Sequence, residues 1–377
     1  MDNPIQFIAM IDVAGRILDS EETIERHNIY AQELITKSNS SLKLLVVTSR
    51  KFDSKTKFPP NLHFELLQLP VNRNNLFGFA YRAFKTLKVR KIAGFVCGDP
   101  WESYWISLWL KKMKFTNSKI QIQLHGDFGT SLWSQGSLKL KVRQQIINLK
   151  SKSIDSLRFT SKNQQESIKE RYRVTCNNQV IVPVPLNLPN LTFARKEKGR
   201  LEIGLVGRLH PERGLGTFIH FAEVVHIKYP EAQFKIVGDG PKAHWFAGEL
   251  KHRFPESNLN FTSYLSGNEY FHELGELSLL CSFAPSESYG RVAREALALG
   301  IPVLAVHSAG MDELAESLPS GTVHFLPVLW ENDAIIEVFE AALNTEVPTS
   351  LLEDFEESNQ KVISDLIESW IDMVKSE

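Results

Sequence analysis

The sequence predicts two α/β domains in series, each built on a doubly wound parallel sheet with helices on both faces. Short apolar runs rich in branched residues alternate with longer amphipathic stretches, which is the pattern of strand–helix–strand units. A proline-rich break interrupts this alternation near the middle of the chain, and the alternation restarts after it. The length of 377 residues suits two domains of roughly 100–200 residues each.

The first domain is predicted to occupy residues 1–190. Its apolar runs have strand length, and helical patterns lie between most of them. The predicted strands are Ile5–Ile11, Leu42–Thr48, Phe64–Leu69, Ala93–Cys97, Ile120–His125, Leu157–Thr160 and Val180–Val184, and the predicted helices are Glu21–Lys37, Phe77–Arg90, Tyr104–Lys114 and Leu138–Lys152.

The prolines between Val182 and Pro189 exclude a helix and weaken a strand, so the linker is placed at residues 191–199. The second domain is predicted for residues 200–377, and its last stretch is left as one or two helices that could cross back onto the first domain. Its predicted strands are Leu201–Val206, Gln233–Val237, Leu259–Thr262, Leu279–Phe283, Pro302–Val306 and Val323–Leu326, and its predicted helices are Leu215–Tyr229, Lys242–His252, Gly290–Leu299, Met311–Glu316, Asp333–Leu343 and Leu351–Lys375.

Composition excludes several classes of protein. Hydrophobic residues make up 43% and charged residues 23%, which are ordinary globular values. The three cysteines are widely spaced and form no CxxC pair, which argues against a disulfide framework or a zinc site. No apolar run approaches the ~20 residues that span a bilayer, and no signal peptide is recognised. We therefore expect a cytoplasmic protein, with peripheral attachment to the inner face of the membrane left open.

A glycine-rich turn with two arginines follows the first strand of the second domain. It runs from Gly207 and Arg208 to Arg213 and Gly214, just before the predicted helix that begins at Leu215. Glycines let the backbone approach an anion, a helix N-terminus offers free N–H groups, and arginines add fixed positive charge. The combination suits a diphosphate, although such turns are common and both arginines could be ordinary surface charges.

Two glutamates eight residues apart flank the start of a later helix. Glu287 precedes the helix and Glu295 lies about two turns inside it, so both are expected to project toward one rim of a cleft. Paired carboxylates there can accept hydrogen bonds from sugar hydroxyls or act as acid and base. In the alternative interpretation Glu287 only favours the helix dipole and Glu295 is an exposed helix residue.

Together these segments resemble family 4 of the retaining glycosyltransferases, which have the GT-B fold of two Rossmann-like domains facing a cleft. The resemblance is specific over residues 180–320 and weaker before them. Gly207, Arg208 and Arg213 fall on that family's phosphate turn, and Glu287 and Glu295 on its E-x7-E motif. Arg213 stands where the family usually has lysine, which keeps the charge and changes the geometry.

The resemblance implies a role for each matching residue. Arg208, Arg213, Glu287 and His125 are the predicted catalytic residues, with His125 closing the strand that ends in His-Gly. The predicted donor-binding residues are Gly15, Gly207, Tyr264, Leu265, Ser288, Tyr289, Gly290, Arg291, Val292 and Glu295. Glu295 would bind the ribose, and backbone N–H groups from Tyr289 to Val292 would reach the donor sugar. No cofactor is implied, and no Asp-x-Asp motif points to a required metal.

The acceptor and the base of the nucleotide stay open, with UDP, GDP and ADP donors all possible. Residues 1–194 hold 28 Lys and Arg against 15 Asp and Glu. Residues 81–91 and 138–152 combine cations with apolar residues at helical spacing. This pattern suits contact with an anionic membrane and a lipid-linked or glycan acceptor. In the alternative interpretation the apolar residues belong to the core and the lysines are only solvated. Other interpretations are a nucleotide-sugar epimerase, a phosphorylase-like relative and a non-catalytic binding module. No nucleic-acid recognition motif is found.

Overall fold

The computed structural model describes residues 5–18, 20–51, 57–71, 75–135, 137–186, 188, 200–265, 267–327 and 331–376. The predicted linker, residues 191–199, lies outside these ranges.

The first sheet has seven parallel strands in the order β3-β2-β1-β4-β5-β6-β7. Five helices belong to this part of the described chain. The strands are β1 (Gln6–Asp12), β2 (Leu42–Thr48), β3 (Glu65–Gln68), β4 (Ile92–Cys97), β5 (Lys119–Leu124), β6 (Ser156–Phe159) and β7 (Gln179–Ile181), and the helices are α1 (Glu21–Lys37), α2 (Leu76–Leu87), α3 (Glu102–Met113), α4 (Leu138–Gln145) and α5 (Lys162–Arg171).

The second sheet has six parallel strands in the order β10-β9-β8-β11-β12-β13. The strands are β8 (Glu202–Val206), β9 (Gln233–Val237), β10 (Leu259–Thr262), β11 (Leu279–Ser282), β12 (Val303–Ala305) and β13 (Val323–Phe325), and the helices are α6 (Leu215–Lys228), α7 (Ala243–Arg253), α8 (Gly267–Gly275), α9 (Arg291–Ala298), α10 (Ala309–Glu316), α11 (Asn332–Leu343) and α12 (Leu351–Lys375).

Local sequence explains why these elements form. The Ser20 side chain accepts a hydrogen bond from the backbone N–H of Thr23 and so caps α1, whose first turn carries two glutamates. The central strands β1, β2 and β4 are almost continuously buried, as expected for a parallel sheet with helices on both faces. A parallel sheet covered by helices on both faces is also what the sequence predicts.

The final helix α12 packs on the first sheet, although its chain enters from the second domain. Trp370 is fully buried there and makes an edge contact with Tyr30 of α1, with 6.1 Å between the ring centroids. Asn359 exchanges two hydrogen bonds with the backbone of Leu186, at 2.7 and 2.9 Å. This helix therefore ties the two domains together.

Three predictions of secondary structure were wrong. The helix predicted for Leu138–Lys152 ends at Gln145, and the short helices α5 and α8 were not predicted. Both missed helices are short, at 10 and 9 residues, and bury only two side chains each, so few residues distinguish them from loops. Among the described residues, no helix is both long enough and apolar enough to span a membrane.

Candidate functional site

The loop before α9 lies against the first domain, at the carboxyl ends of its strands. The Ser288 hydroxyl donates to the carbonyl of His125 at 2.9 Å, and the Thr160 hydroxyl donates to the carbonyl of Ser288 at 3.3 Å. The Asn163 N–H donates to Glu313 of α10 at 2.9 Å. The carboxyl ends of β5 and β6 therefore contact the E-x7-E loop directly. We call the surface around this contact, where the strand ends of the two domains meet, the groove, because ligands of such sheets usually bind at these strand ends.

The cationic turn after β8 is held in a conformation that its glycines permit. Gly207 has φ +123°, and Gly214 has φ +67° at the start of α6. A Cβ on Gly214 would lie 1.9 Å from the Phe283 carbonyl oxygen, so no other residue fits. The Leu209 N–H donates to the Asp239 carbonyl at 2.9 Å, which braces the turn on the loop after β9. The turn is thus rigidly placed at the sheet edge.

Arg208 projects from this turn and is exposed. Among the described residues it makes no ion pair, although Glu212, which lies 3.4 Å from His210, attracts its charge from a longer distance. Partial desolvation lowers the pKa of Arg208, and the charge of Arg16 lowers it further. Arg16 belongs to the first domain and makes no ion pair with a described residue, so each domain brings one such cation to the groove.

The second arginine of the turn pairs with the first glutamate of the motif. Arg213 Nη1 lies 2.7 Å from Glu287 Oε2, while Glu287 Oε1 accepts from the N–H groups of Gly290 at 3.2 Å and Tyr289 at 3.4 Å. Burial opposes ionisation of Glu287, but Arg213 and these N–H groups prevail and lower its pKa. Two N–H groups expected to reach the donor sugar are therefore already bound to Glu287, which corrects that prediction.

The second glutamate of the motif is buried rather than placed on an open rim, contrary to the expectation. Glu295 is 1% exposed. Tyr270 of α8 donates its hydroxyl to Glu295 Oε2 at 2.7 Å, and Arg291 Nε lies 3.3 Å from Oε1. The exposed member of this ion pair is Arg291, whose side chain is 41% exposed, against 1% for that of Glu295.

Close glycine contacts set the position of α9. Gly290 starts the helix with φ +77°, and a Cβ there would lie 2.8 Å from Met311 Sδ. A Cβ on Gly310 would lie 2.3 Å from the backbone nitrogen of Tyr289. Gly310 also donates its N–H to the Glu287 carbonyl at 2.8 Å. The loop, α9 and α10 thus form one unit that fixes Glu287.

The loop after β1 is organised by Asp12. Its carboxylate accepts from the N–H groups of Arg16 at 2.9 Å and Ile17 at 3.1 Å, and from the Thr48 hydroxyl at 3.1 Å. Gly15 is buried with φ +68°. The N–H groups of Arg16 and Ile17 are therefore engaged within the domain, and the group that this loop offers to the groove is the Arg16 side chain.

His125 lies at the end of β5 among cations. The pKa of His125 is lowered to about 3. Desolvation by the surrounding protein is the largest cause, and the charges of Arg158, Arg26 and Arg16 add to it. The ring nevertheless keeps accessible surface in the groove. His125 is thus neutral at ordinary pH and can serve as a hydrogen-bond partner rather than as a cation.

The remaining predicted residues lie around these groups. A cavity of about 30 Å³, with room for about one water molecule, is lined by Arg213 and Glu287. Its lining also includes Gly207, Gly290 and Val292. Tyr264 is 62% exposed, and its hydroxyl is close enough to Arg291 to affect the pKa of that arginine. Leu265 is half-buried beside Tyr264.

Sequence reasoning missed the groups that come from other parts of the chain. Arg16 and Glu22 are brought to the groove by the first domain, and Tyr270 by the unpredicted helix α8. The Gly267 N–H donates to the Glu22 carboxylate, which is a further contact between the domains. Of these groups, only Arg16 could have been noticed in the sequence, because it stands beside Gly15 in the loop after a predicted strand.

One group of described residues, His272, Glu273 and Glu276, has the spacing to hold a metal ion. Lys235 Nζ already lies 2.6 Å from Glu273 and 2.9 Å from Glu276. Lys235 is 2% exposed, so its ammonium neutralises this acidic cluster from within. The cluster also contacts Glu202, at the opposite end of β8 from Arg208, and is not part of the groove.

Comparisons with known proteins show which proteins this chain is similar to. Residues 191–362 match the family described as glycosyl transferases group 1. An uncharacterized glycosyltransferase of Haemophilus influenzae is 28% identical over 137 residues, which is 35% of this chain and 38% of that protein. The chain spans between 22% and 38% of the length of the curated relatives it matches.

Solved structures match almost the whole chain. Sucrose-phosphate synthase from Thermosynechococcus elongatus has a TM-score of 0.68 at 17% identity, over 98% of this chain and 96% of that one. HepE of Anabaena, in complex with UDP-glucose, has a TM-score of 0.68 at 15% identity, over 97% and 99% of the two chains. The predicted fold class is confirmed as GT-B, with two Rossmann-like parallel-sheet domains. The finer assignment to family 4 stays a prediction.

Proposed function

We propose that this protein is a retaining glycosyltransferase that moves a sugar from a nucleotide sugar to a glycan or lipid-linked acceptor. The biological setting proposed is cell-envelope polysaccharide or glycolipid synthesis. The observation that carries the proposal is the meeting, in one groove, of Arg16 and Arg208, which form no ion pair with any residue that the structure describes, and the Arg213–Glu287 pair. The match to glycosyl transferases group 1 and the UDP-glucose bound to HepE support the same class of donor.

The diphosphate would lie between the two domains. Arg208 and Arg16 would bind it from opposite sides, and Arg213 would add charge from beside Glu287. The negative charge on the leaving diphosphate grows as the bond to the sugar breaks, so fixed cations stabilise the transition state more than the ground state. With these arginines in place we propose that no metal ion is required and that EDTA leaves turnover unchanged.

Glu287 would orient the donor sugar. Its carboxylate is ionised by Arg213 and fixed by two backbone N–H groups, so it can accept hydrogen bonds from sugar hydroxyls in one orientation. Neutral His125, across the groove, would contact the sugar or the acceptor hydroxyl. The configuration at the anomeric carbon would be retained because the acceptor hydroxyl attacks that carbon on the face from which the diphosphate leaves. A phosphate oxygen of the leaving diphosphate would accept the proton of the acceptor hydroxyl.

A donor screen tests the proposal. The protein is incubated with UDP-, GDP- and ADP-linked sugars, and release of each nucleoside diphosphate is measured with and without acceptor glycans or lipids. We expect slow release from one nucleotide class, beginning the screen with UDP-glucose. Conversion of the sugar without release of nucleoside diphosphate would favour an epimerase instead. Binding of a donor with neither release of nucleoside diphosphate nor conversion of the sugar would leave only a non-catalytic sugar-nucleotide-binding module.

A further inference from the structure

The outer surfaces of α2 and α3 expose large aromatic side chains. Phe77 is 91% exposed, Tyr81 54% and Trp105 42%. Isolated exposed apolar residues are common, but several aromatic rings on adjacent helices are not, and such patches usually mark an interaction site. None of these residues takes part in the groove described above.

The exposed residues form two stripes at helical spacing. Phe77, Tyr81 and Lys85 follow each other every four residues along α2. Along α3, Trp105, Trp109 and Lys112 are spaced by four and then three residues, which also keeps them on one side of the helix. Phe84 and Trp109 join the two helices by an edge contact, with 5.8 Å between ring centroids. The six residues Phe77, Tyr81, Lys85, Trp105, Trp109 and Lys112 therefore lie on neighbouring helices, and we call them the aromatic–basic face.

The charge around this face is mostly positive, although Arg90 pairs with Glu65 of β3 and Lys111 with Asp155. Lys85 Nζ lies 4.9 Å from the centroid of the Tyr81 ring, and further cations follow at the ends of both helices. Glu102, the single acidic residue within residues 76–91 and 102–114, is paired with Arg143 of α4. The cations at these helix ends are Lys88, Arg90, Lys91, Lys111, Lys112 and Lys114.

We propose that the aromatic–basic face lies on an anionic lipid bilayer. Tryptophan and tyrosine prefer the boundary between headgroups and acyl chains, where the ring is desolvated and its polar atom stays hydrated. Lysines whose stems run along apolar surface place their ammonium groups at headgroup phosphates. Of the two stretches that the sequence suggested, the α2 stretch contributes to this face, together with α3, and the helix at 138–145 is shorter than expected.

The face has a defined position relative to the groove. Helices that connect parallel strands run back along the sheet, so the first turns of α2 and α3 lie near the carboxyl ends of the strands. Phe77 and Trp105 are in those first turns, and Lys85 and Lys112 lie toward the opposite end. A bilayer under this face would adjoin the open edge of the groove. Delivery of a lipid-linked acceptor there rests on the proposed function, but binding to the bilayer does not.

Vesicle cosedimentation tests the inference. The full-length protein is mixed with vesicles of phosphatidylcholine alone or with phosphatidylglycerol added. We expect binding only when phosphatidylglycerol is present, and weaker binding as salt is raised. The Phe77→Ser/Trp105→Ser variant should bind at least about tenfold more weakly, because less apolar surface enters the interface. Its matched control is Ile227→Ser/Trp245→Ser, whose wild-type side chains are exposed on the second domain.

The outcomes separate the alternatives. Equal vesicle binding by both double variants, or no binding of the wild type to phosphatidylglycerol, would overturn the inference. If the wild type instead self-associates in solution and only Phe77→Ser/Trp105→Ser is monomeric, the face joins two copies of the chain and the inference is also wrong. Nucleoside diphosphate release is measured on the same samples, so a failure of the proposed function is scored independently of vesicle binding.

Discussion

Replacing Arg208 by glutamine should separate catalysis from stability. Arg208 is exposed, and it makes no ion pair among the described residues. The neighbouring cation Arg16 opposes its charge. Arg208→Gln therefore breaks no ion pair with a described residue, and the attraction of Glu212 is opposed by Arg16 and Arg213, so the free energy of unfolding should change by less than about 0.5 kcal/mol.

The effect on turnover should be much larger. If Arg208 stabilises the charge that grows on the leaving diphosphate, its loss costs about 3–4 kcal/mol in the transition state, or about 10²- to 10³-fold in turnover. The assay is nucleoside diphosphate release with the donor identified by the screen, alongside thermal unfolding of the same samples.

Arg253→Gln is the matched control. Arg253 lies 2.8 Å from Glu223 and 2.6 Å from Glu249 on the surface of the second domain. Its loss should cost up to about 1–2 kcal/mol of stability and leave turnover unchanged, because two exposed ion pairs are broken away from the groove. Equal turnover of Arg208→Gln and wild type, or a loss of turnover matched by a loss of stability, would refute the reasoning.

Three further predictions concern the carboxylates and the histidine of the groove. Glu295→Gln keeps the side-chain volume but loses the charge, so affinity for the nucleoside diphosphate should fall about 10- to 150-fold by calorimetry, while Glu273→Gln, which loses a contact to Lys235 away from the groove, should bind normally. Equal affinities would exclude ribose binding by Glu295. The lowered pKa of Glu287 means that its stabilising contribution is complete above pH 4.5 and is lost as the pH falls below that value. The difference in Tm between wild type and Glu287→Gln should therefore shrink in acid, and a constant difference would contradict the ion pair. His125, with a pKa of about 3 against 6.5 when unfolded, should take up no proton between pH 7 and 4, so folding loses stability as the pH falls through that range. Its ring signal in NMR, assigned with His125→Gln, should not shift in that range. Titration of the ring near pH 6.5 would contradict its desolvated surroundings and the effect of the nearby cations.

Much of the fold could be predicted because local signals and tertiary packing agree. The helix Glu21–Lys37 was predicted at its observed bounds, since a serine cap, an acidic first turn and a buried stripe all point the same way. The strands Leu42–Thr48, Gln233–Val237 and Leu259–Thr262 were also predicted at their observed bounds. In contrast, α5 is polar on most of its surface, and its position depends on contacts such as that between Asn163 and Glu313.

The candidate site was less predictable because its groups meet across long separations in sequence. The turn at Arg208 and the spacing of Glu287 and Glu295 are visible in the chain itself. The burial of Glu295 is not, because it depends on Tyr270 of α8, a nine-residue helix, and Tyr270 stands 25 residues away in sequence. The approach of Arg16 to Arg208 depends on how two domains face each other, which no local pattern encodes.

The most direct measurement is a crystal structure with the nucleoside diphosphate, or the unreacted sugar nucleotide, that the screen identifies. We predict a diphosphate within hydrogen-bond distance of Arg208 and Arg213, with Arg16 approaching from the other domain and the ribose at Glu295 after Arg291 has moved. A nucleotide bound elsewhere, or bound in this groove with its diphosphate directed away from all three arginines, would contradict the account.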